Sequence, residues 1–547
     1  MEKINRLFEA SVKQYWDSPA LSDFRVSTEN YSVLATKIAK LHLLWEKAGL
    51  LPADKVAINA KSSSHWAEVF LAAVSGGYVS VQLYNAFLPA DTQSLVNHSD
   101  SRILYTEKNN FSSMDFDAMP ALVAAIDIDS MEILASRGDF SEIYAGLDLL
   151  FAERYPQGFT AADVNYDRFG MDDVCVIMYT SGSTGSPKGV MLTIRNFSWN
   201  VERFSELAPY GRGENYVSIL PYSHIFGLTC DLVTPMCLGM HVVILCKMPV
   251  PVNVEAIMQE YKPKIFFAVP LVLNKFVEYT VGSEIHSAEG KAKLDAYEQH
   301  PEYSAMLRDR ILNALGGNIK VFVTGGAAIA PEIESLLAFK LRLPFITGYG
   351  MSECAPLLAI GKLGSYKARS CGECIYDLDV RIDSPDEKNC PGEFQLKGPC
   401  VFSGYYNNPE ATAACFTEDG YFRTGDIGVI DDDRTLFLMG RCKNMLLSAN
   451  GQNIYPEEIE TLLNGLAYVA ESVVVQRGSQ LHAIIVPDMQ KAETAGIDGG
   501  SFQSIMAANI EILNRRLPAY EAVNSFELRL EPFSKTPKGS IRRFLYS

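Results

Sequence analysis

Tyr179-Thr180-Ser181-Gly182-Ser183-Thr184-Gly185-Ser186-Pro187-Lys188-Gly189-Val190-Met191 follows directly on Val174-Cys175-Val176-Ile177-Met178. The apolar run has the length and β-branching of a buried strand, so a strand empties into a loop of small and hydroxylated residues. Gly182, Gly185 and Gly189 let the backbone approach a ligand closely. Thr180, Ser181, Ser183 and Thr184 add hydroxyl donors to the amide N–H groups, and Lys188 supplies one positive charge. Such a set suits a polyphosphate. It is not the P-loop NTPase pattern, because Lys188 follows Pro187 instead of a glycine and Gly189 stands where Ser or Thr would. A short Ser/Gly stretch alone is as readily a solvated turn; thirteen consecutive residues of this character after a strand are not.

Working outward, the same strand-into-loop pattern repeats. Residues 56–60, 78–83 and 102–106 read as strands, with a helix around residues 66–73 between the first two, which is a βαβ rhythm. Upstream, Ile4, Leu7, Phe8, Val12 and Trp16 recur at helical spacing, as do apolar residues from Leu34 to Trp45. Residues 110–170 show no clean period and read as mixed helix and connection. Downstream, strands 217–220, 241–245, 264–270 and 320–326 each run into a loop. A parallel, doubly wound α/β architecture follows, with ligands expected beyond the carboxyl ends of the strands.

The chain of 547 residues is too long for one core. Residues 392–438 are rich in turns and short strands. Beyond Gly440 the pattern becomes helix 456–465, strands 471–476 and 481–486, helix 501–515 and strand 526–530, a compact α+β unit of ordinary domain size. We therefore expect a large N-terminal domain over residues 1–440, with doubly wound sheets and a β-rich subdomain, and a small mobile C-terminal domain over 441–547. Apolar content of 48% suffices for a large core, and 48 basic against 65 acidic residues give −17, which argues against nucleic acid or an anionic membrane as main partner. Eleven cysteines, among them Cys175, Cys230, Cys237, Cys246 and Cys442, lie in apolar segments without a disulfide pattern. They read as buried thiols of a reducing, cytoplasmic compartment. Cys371 and Cys374 form one C-x-x-C with no second pair at zinc spacing. Charges occupy the N-terminus where a signal peptide is apolar, and no window is long enough to span a membrane, which leaves peripheral membrane contact only.

Further motifs carry chemistry. Gly325-Gly326-Ala327-Ala328 and Gly348-Tyr349-Gly350-Met351-Ser352-Glu353 each cap a strand. The glycine pairs could admit a flat ring edge-on, Tyr349 could stack on it, and Glu353 offers the hard oxygen that Mg²⁺ prefers. Asp426, in Tyr421-Phe422-Arg423-Thr424-Gly425-Asp426, can accept two hydroxyl donors at once. His224, in Pro221-Tyr222-Ser223-His224-Ile225-Phe226-Gly227, reads as a pocket wall and not as a general base. No Ser-His-Asp order and no histidine pair at metal spacing accompanies it.

Taken in this order, the motifs resemble those of the adenylate-forming superfamily, which contains acyl-CoA synthetases, luciferases and the adenylation domains of peptide synthetases; the overall pattern is most similar to bacterial long-chain fatty acid CoA ligases. The resemblance implies that residues 180–185 and Lys188 hold the phosphates of ATP and that Thr180 and Glu353 hold Mg²⁺. It further implies that Gly325, Gly326, Ala327 and residues 348–352 receive adenine, and that Asp426 and Arg441 contact ribose or phosphate. Lys443 would be the hinge, Gly451 would lie on the pantetheine path of coenzyme A, and His224, Phe226 and Gly227 would face the acid. Asn444 stands where many relatives carry aspartate. The larger departure is Thr536-Pro537-Lys538-Gly539-Ser540-Ile541, in which Ser540 takes the place of the family's Thr-Pro-x-Gly-Lys-Ile lysine. In an extended segment Lys538 would lie on the same face, about 7 Å away, and could substitute. The implied reaction joins a medium- to long-chain fatty acid to coenzyme A through an acyl-adenylate. A carrier-protein acceptor, or a nucleotide-binding relative with impaired adenylation, remain the alternatives. Oligomeric state is not legible.

Overall fold

A strand of β-branched residues buried on both faces needs neighbours on both edges, and Val174–Thr180 has them. The computed structural model describes residues 1–180, 187–447, 453–478, 480–497, 499–536 and 540–546. Its contacts divide the chain into two units: Met1–Gly326, Leu343–Leu358 and Gly398–Ala414, and then Ala327–Arg342, Ala359–Lys397 and Cys415–Ser547.

In the first unit Val174–Thr180 pairs in parallel with Val79–Gln82, which pairs with Lys55–Asn59, then Ser101–Thr106, then Ala124–Asp127. An antiparallel strand closes each side of this parallel run. Ile133–Ser136 flanks Ala124–Asp127, and Lys188–Thr193 flanks Val174–Thr180, itself edged by the short strand Gly404–Tyr405. A second sheet orders Asn215–Ser218, His241–Ile244, Pro19–Asp23 and Ser27–Asn30. Ile265–Ala268, Val321–Thr324 and Phe345–Gly350 run parallel in a third. Amphipathic helices cover these sheets. Ile4–Gln14 buries Ile4, Phe8 and Val12, and Tyr31–Lys47 buries Leu34, Ile38, Leu41 and Trp45.

The doubly wound α/β reading therefore holds, with local corrections. The two ends of the phosphate stretch belong to paired antiparallel strands, because Tyr179 and Thr180 continue the first strand and Lys188 opens the second. Tyr349 and Gly350 end the strand Phe345–Gly350 instead of following it, and Asp426 lies inside the strand Phe422–Ile430. The stretch 110–170, which has no period of its own, contains the strands Ala124–Asp127 and Ile133–Ser136; they are stabilised by the neighbouring sheet edge, a tertiary cause. All eleven cysteines are free thiols, but Cys246 and Cys390 are exposed and Cys371, Cys415 and Cys442 are half-buried, so the expectation of buried thiols fails at these positions. Among the described residues no helix is long and apolar enough to cross a membrane.

The second unit holds the antiparallel sheet Asp379–Asp383, Gly392–Lys397, Phe422–Ile430 and Leu436–Arg441. It also holds a three-stranded sheet of Val469–Arg477, Gln480–Pro487 and Val523–Leu528, packed against the helices Pro456–Asn464 and Phe502–Asn514 through Ile459, Leu463, Met506 and Leu513. On the other face of that sheet lie Phe533, Ile541 and Tyr546 of the C-terminal segment. Arg543 fastens this segment: its guanidinium spans both carboxylate oxygens of the buried Glu460, at 2.7 and 2.6 Å, and donates to the Val474 carbonyl at 3.0 Å. Removing one partner of a buried ion pair strands the other. Arg543→Ala is therefore expected to destabilise this unit by about 3 kcal/mol, read as a fall in the denaturant midpoint with the slope unchanged.

Candidate active site

The hairpin that ends Val174–Thr180 positions two of the expected residues by register alone. Thr180 pairs across the ladder with Lys188, which sets the two side chains on one face of the sheet at the end of the described ladder. Ser181, Gly182, Ser183, Thr184 and Gly185 lie outside the described residues. The return strand is then used a second time: Gly404 pairs with Met191 and Tyr405 with Val190, while the Tyr406 N–H donates to the Gly189 carbonyl at 2.7 Å. Lys188 and Val190 share a face, so the Tyr405 ring lies beside Lys188, whose ammonium is 4.8 Å from the ring centroid.

The same short segment holds Glu353. The Phe402 N–H donates to the Glu353 carbonyl at 2.8 Å, and the Tyr405 hydroxyl donates to Glu353 Oε1 at 2.9 Å. Lys188 and Glu353, far apart in sequence, are thereby joined through Tyr405, a residue the motifs did not single out, and Thr180 stands opposite Lys188 in the ladder. Thr180 offers a hydroxyl and Glu353 a carboxylate, both hard oxygen donors of the kind Mg²⁺ takes together with phosphate and water. Among the described residues no three His, Cys, Asp or Glu side chains are grouped to hold a metal by themselves.

The glycine-rich turn meets the end of the adjacent strand. A Cβ at Gly325 would lie 2.8 Å from the Gly348 carbonyl oxygen and 3.7 Å from Phe226 Cζ, so the backbones there approach as closely as they do only because no side chain intervenes. Ser352 is buried at the start of the turn Ser352–Cys354, and Tyr349, Gly350 and Met351 are half-buried just before it. Ala327 opens the second unit and is described apart from this site.

His224 stands on a loop made rigid from below. Its Nδ1 accepts the Phe226 N–H at 3.2 Å, so the neutral ring carries its proton on Nε2, and the ring meets Tyr84 edge-on at 6.4 Å. Behind it the chain winds into a fully buried π-helix, Gly227–Val233; a Cβ at Gly227 would lie 2.3 Å from the Pro221 carbonyl oxygen. Asp231 of this helix accepts the Tyr216 hydroxyl at 2.7 Å, the Ile219 and Leu220 N–H groups at 3.0 and 2.9 Å, and the Ser218 hydroxyl at 3.3 Å. The carboxylate is thus consumed in fixing the exit of the strand Asn215–Ser218, immediately before His224. Phe226 packs edge-on against Phe267 at 5.7 Å.

In the second unit Asp426 is opposite Arg441 in register, and the Arg441 Nε donates to its Oδ1 at 2.6 Å. Asp426 is 5% exposed, and its N–H donates to Thr424 Oγ1 at 3.0 Å. The two residues expected at ribose are therefore neighbours through strand pairing. Lys443 lies in the next turn, Cys442–Asn444; burial, and then the nearby Arg441 charge, hold its ammonium below the usual lysine value. The Asn444 amide donates to Glu457. Gly451 and Lys538 lie outside the described residues. On either side of Lys538, the Thr536 N–H donates to the Ser540 carbonyl at 2.8 Å and Lys535 bridges Ile541 antiparallel. The Ser540 side chain is exposed.

Parallel strands that each run into a loop at their carboxyl ends define an α/β protein of the class that binds ligands beyond its strands. The chain belongs to the AMP-binding enzyme family, whose model matches residues 8–406, with the AMP-binding enzyme C-terminal domain over residues 443–546. It is thus a member of the adenylate-forming superfamily. Long chain acyl-CoA synthetase 6, peroxisomal, of Arabidopsis thaliana is 26% identical over 90% of this chain and 76% of its own length. Feruloyl-CoA synthase of an Amycolatopsis species is 28% identical over 94% and 93%. Among solved structures, the anthranilate CoA ligase AuaEII in complex with anthranoyl-AMP superposes with a TM-score of 0.78 at 16% identity, covering 100% of this chain and 96% of that one. ATP-bound MatB from Rhodopseudomonas palustris gives 0.76 at 20%, covering 100% and 98%. At these identities the solved structures report the fold.

The buried Asp231 yields a prediction with a definite sign. Burial pushes its carboxyl up to about 7, above the unfolded value of about 3.9, so the folded state binds the extra proton between those values and stability falls as pH rises through that window. Asp231→Asn does not titrate. Relative to the wild type it is expected to be more stable at pH 8 than at pH 5, by about 1 kcal/mol or more, in urea unfolding at the two pH values.

Proposed function

We propose that the protein is an acid–thiol ligase that joins a carboxylic acid, of the medium- to long-chain fatty acid class, to coenzyme A through an acyl-adenylate, releasing pyrophosphate and AMP. The observation that carries this reading is the gathering of Thr180, Lys188 and Glu353 at one hairpin mouth. In the first step a carboxylate oxygen attacks the α-phosphorus of ATP and the bond to pyrophosphate breaks. In the second the coenzyme A sulfur adds to the acyl carbonyl and AMP leaves. Lys188 is assigned to the phosphates, with the hairpin amides and hydroxyls. Such pre-placed donors lower the barrier by holding two anions together and offsetting the charge that develops. Mg²⁺, held by Glu353 and Thr180, would supply further positive charge to the phosphates.

Adenine is assigned to the cradle of Gly325, Gly326 and residues 348–352, extended by Ala327, and ribose to Asp426, whose bond to Arg441 would open or be shared when hydroxyls arrive. His224, Phe226 and Gly227 are assigned to the acid. Asp231 speaks against an amino-acid substrate, because it is fully buried and its two oxygens are already engaged by four donors from the chain itself. Lys443 is assigned as the pivot between a domain over residues 1–440 and one over 441–547, Gly451 to the coenzyme A arm, and Lys538 to the role that Ser540 cannot fill. Cytoplasmic placement and small-molecule partners, without nucleic acid, belong to the same proposal.

A second reading, an aromatic acid, is favoured by the aromatic edge formed by Phe226 and Phe267 and by the likeness to a feruloyl-CoA synthase. A panel of fatty acids of graded length and hydroxycinnamates, assayed with ATP, Mg²⁺ and coenzyme A for AMP and thioester, separates the two. Nucleotide binding with no pyrophosphate exchange in the presence of any acid would defeat both and leave a binding module. Glu353→Gln is expected to lower kcat by about 100-fold. Lys538→Ala is expected to lower pyrophosphate exchange by at least about tenfold while sparing thioester formation from supplied acyl-adenylate.

A further inference from the structure

We propose that Tyr405 is a positioning residue that couples the metal carboxylate Glu353 to the phosphate lysine Lys188, so that one side chain tunes both metal affinity and the readiness of the lysine. The inference rests on the adenylating function proposed above and extends it to a residue outside the motifs.

Tyr405 is held at several points. Its strand pairs with the return strand of the phosphate hairpin, and its N–H donates to Thr412 Oγ1 at 2.9 Å. Its ring packs edge-on against Phe402 at 4.9 Å between centroids, and it is 8% exposed. A ring fixed in this way has little rotational freedom, so its hydroxyl and its face point to set places. The hydroxyl is aimed at Glu353 Oε1, 2.9 Å away. A neutral donor on one oxygen fixes the carboxylate plane without cancelling its charge, which leaves Oε2 as a hard ligand of constant orientation. The ring face lies 4.8 Å from the Lys188 ammonium.

That second contact has a chemical consequence. A carboxylate partner would hold Lys188 in an ion pair that phosphate must break. An aromatic face attracts the ammonium through its quadrupole, more weakly and without a formal charge, so the lysine is kept in place yet released to an arriving phosphate. The tyrosine does both jobs because the phenol has a donor at its tip and a π-surface on its side. Removing the hydroxyl alone should loosen the metal and spare the lysine; removing the ring should affect both.

The test uses the full chain with Mn²⁺ and ATP as probes. Mn²⁺ binding in the presence of ATP is followed by electron paramagnetic resonance, and Mg²⁺ activation by pyrophosphate exchange. For Tyr405→Phe the expected result is a Mn²⁺ dissociation constant and a Mg²⁺ half-activation each raised about tenfold, with KM for ATP at saturating Mg²⁺ changed by less than about twofold. Tyr405→Leu should raise KM for ATP as well. In a Glu353→Gln background Tyr405→Phe should leave Mn²⁺ binding unmoved, because the acceptor charge is gone; a merely structural tyrosine would produce the same loss in either background. If Tyr405→Phe keeps wild-type metal affinity and half-activation while the wild type exchanges pyrophosphate, the coupling is wrong and the proposed function stands. A wild type that neither binds Mn²⁺ with ATP nor exchanges would overturn both.

Discussion

The strand Lys188–Thr193 is paired on both edges, by Val174–Thr180 and by Gly404–Tyr405, and the first unit's chemistry depends on that double pairing. One edge fixes Thr180 opposite Lys188. The other delivers the 402–405 segment, and with it the backbone and side-chain bonds that hold Glu353. Ladder hydrogen bonds are directional and a slip of one residue would turn every side chain to the opposite face. The hydroxyl, the ammonium and the carboxylate are therefore placed by main-chain register first and by side-chain contacts second.

The same economy recurs around His224. A buried carboxylate is expensive unless its lone pairs are used, and Asp231 uses them on two N–H groups and two hydroxyls at the exit of one strand. This acid, seven residues beyond His224, is the bracket that keeps the His224 loop in shape. The π-helix that carries it is a local departure from regular hydrogen bonding of the kind that accumulates near functional sites.

In the second unit, strand pairing again precedes chemistry. Asp426 and Arg441 face each other because their strands are antiparallel with a bulge beside them, and the described residues of the C-terminal segment are held to its sheet by Phe533, Ile541, Tyr546 and the Arg543–Glu460 pair. Thr536 donates to the Ser540 carbonyl and Lys535 bridges Ile541, contacts between the two flanks of the segment that departs from the family pattern.

From residues alone came the βαβ rhythm, the strand that leads into the phosphate stretch, the α+β pattern beyond Gly440 and the identity of nearly every polar group assigned to ATP, whereas the strand Lys188–Thr193 did not. Those features are legible because hydrophobic period and glycine-rich turns are local properties of the chain. Tyr405, Tyr84 and the true use of Asp231 were not, since each acquires its meaning from a partner far away in sequence: Glu353 for Tyr405, His224 for Tyr84, and the end of a separate strand for Asp231. Strand pairing and burial decide such partnerships, and neither leaves a periodic mark on the residues it joins.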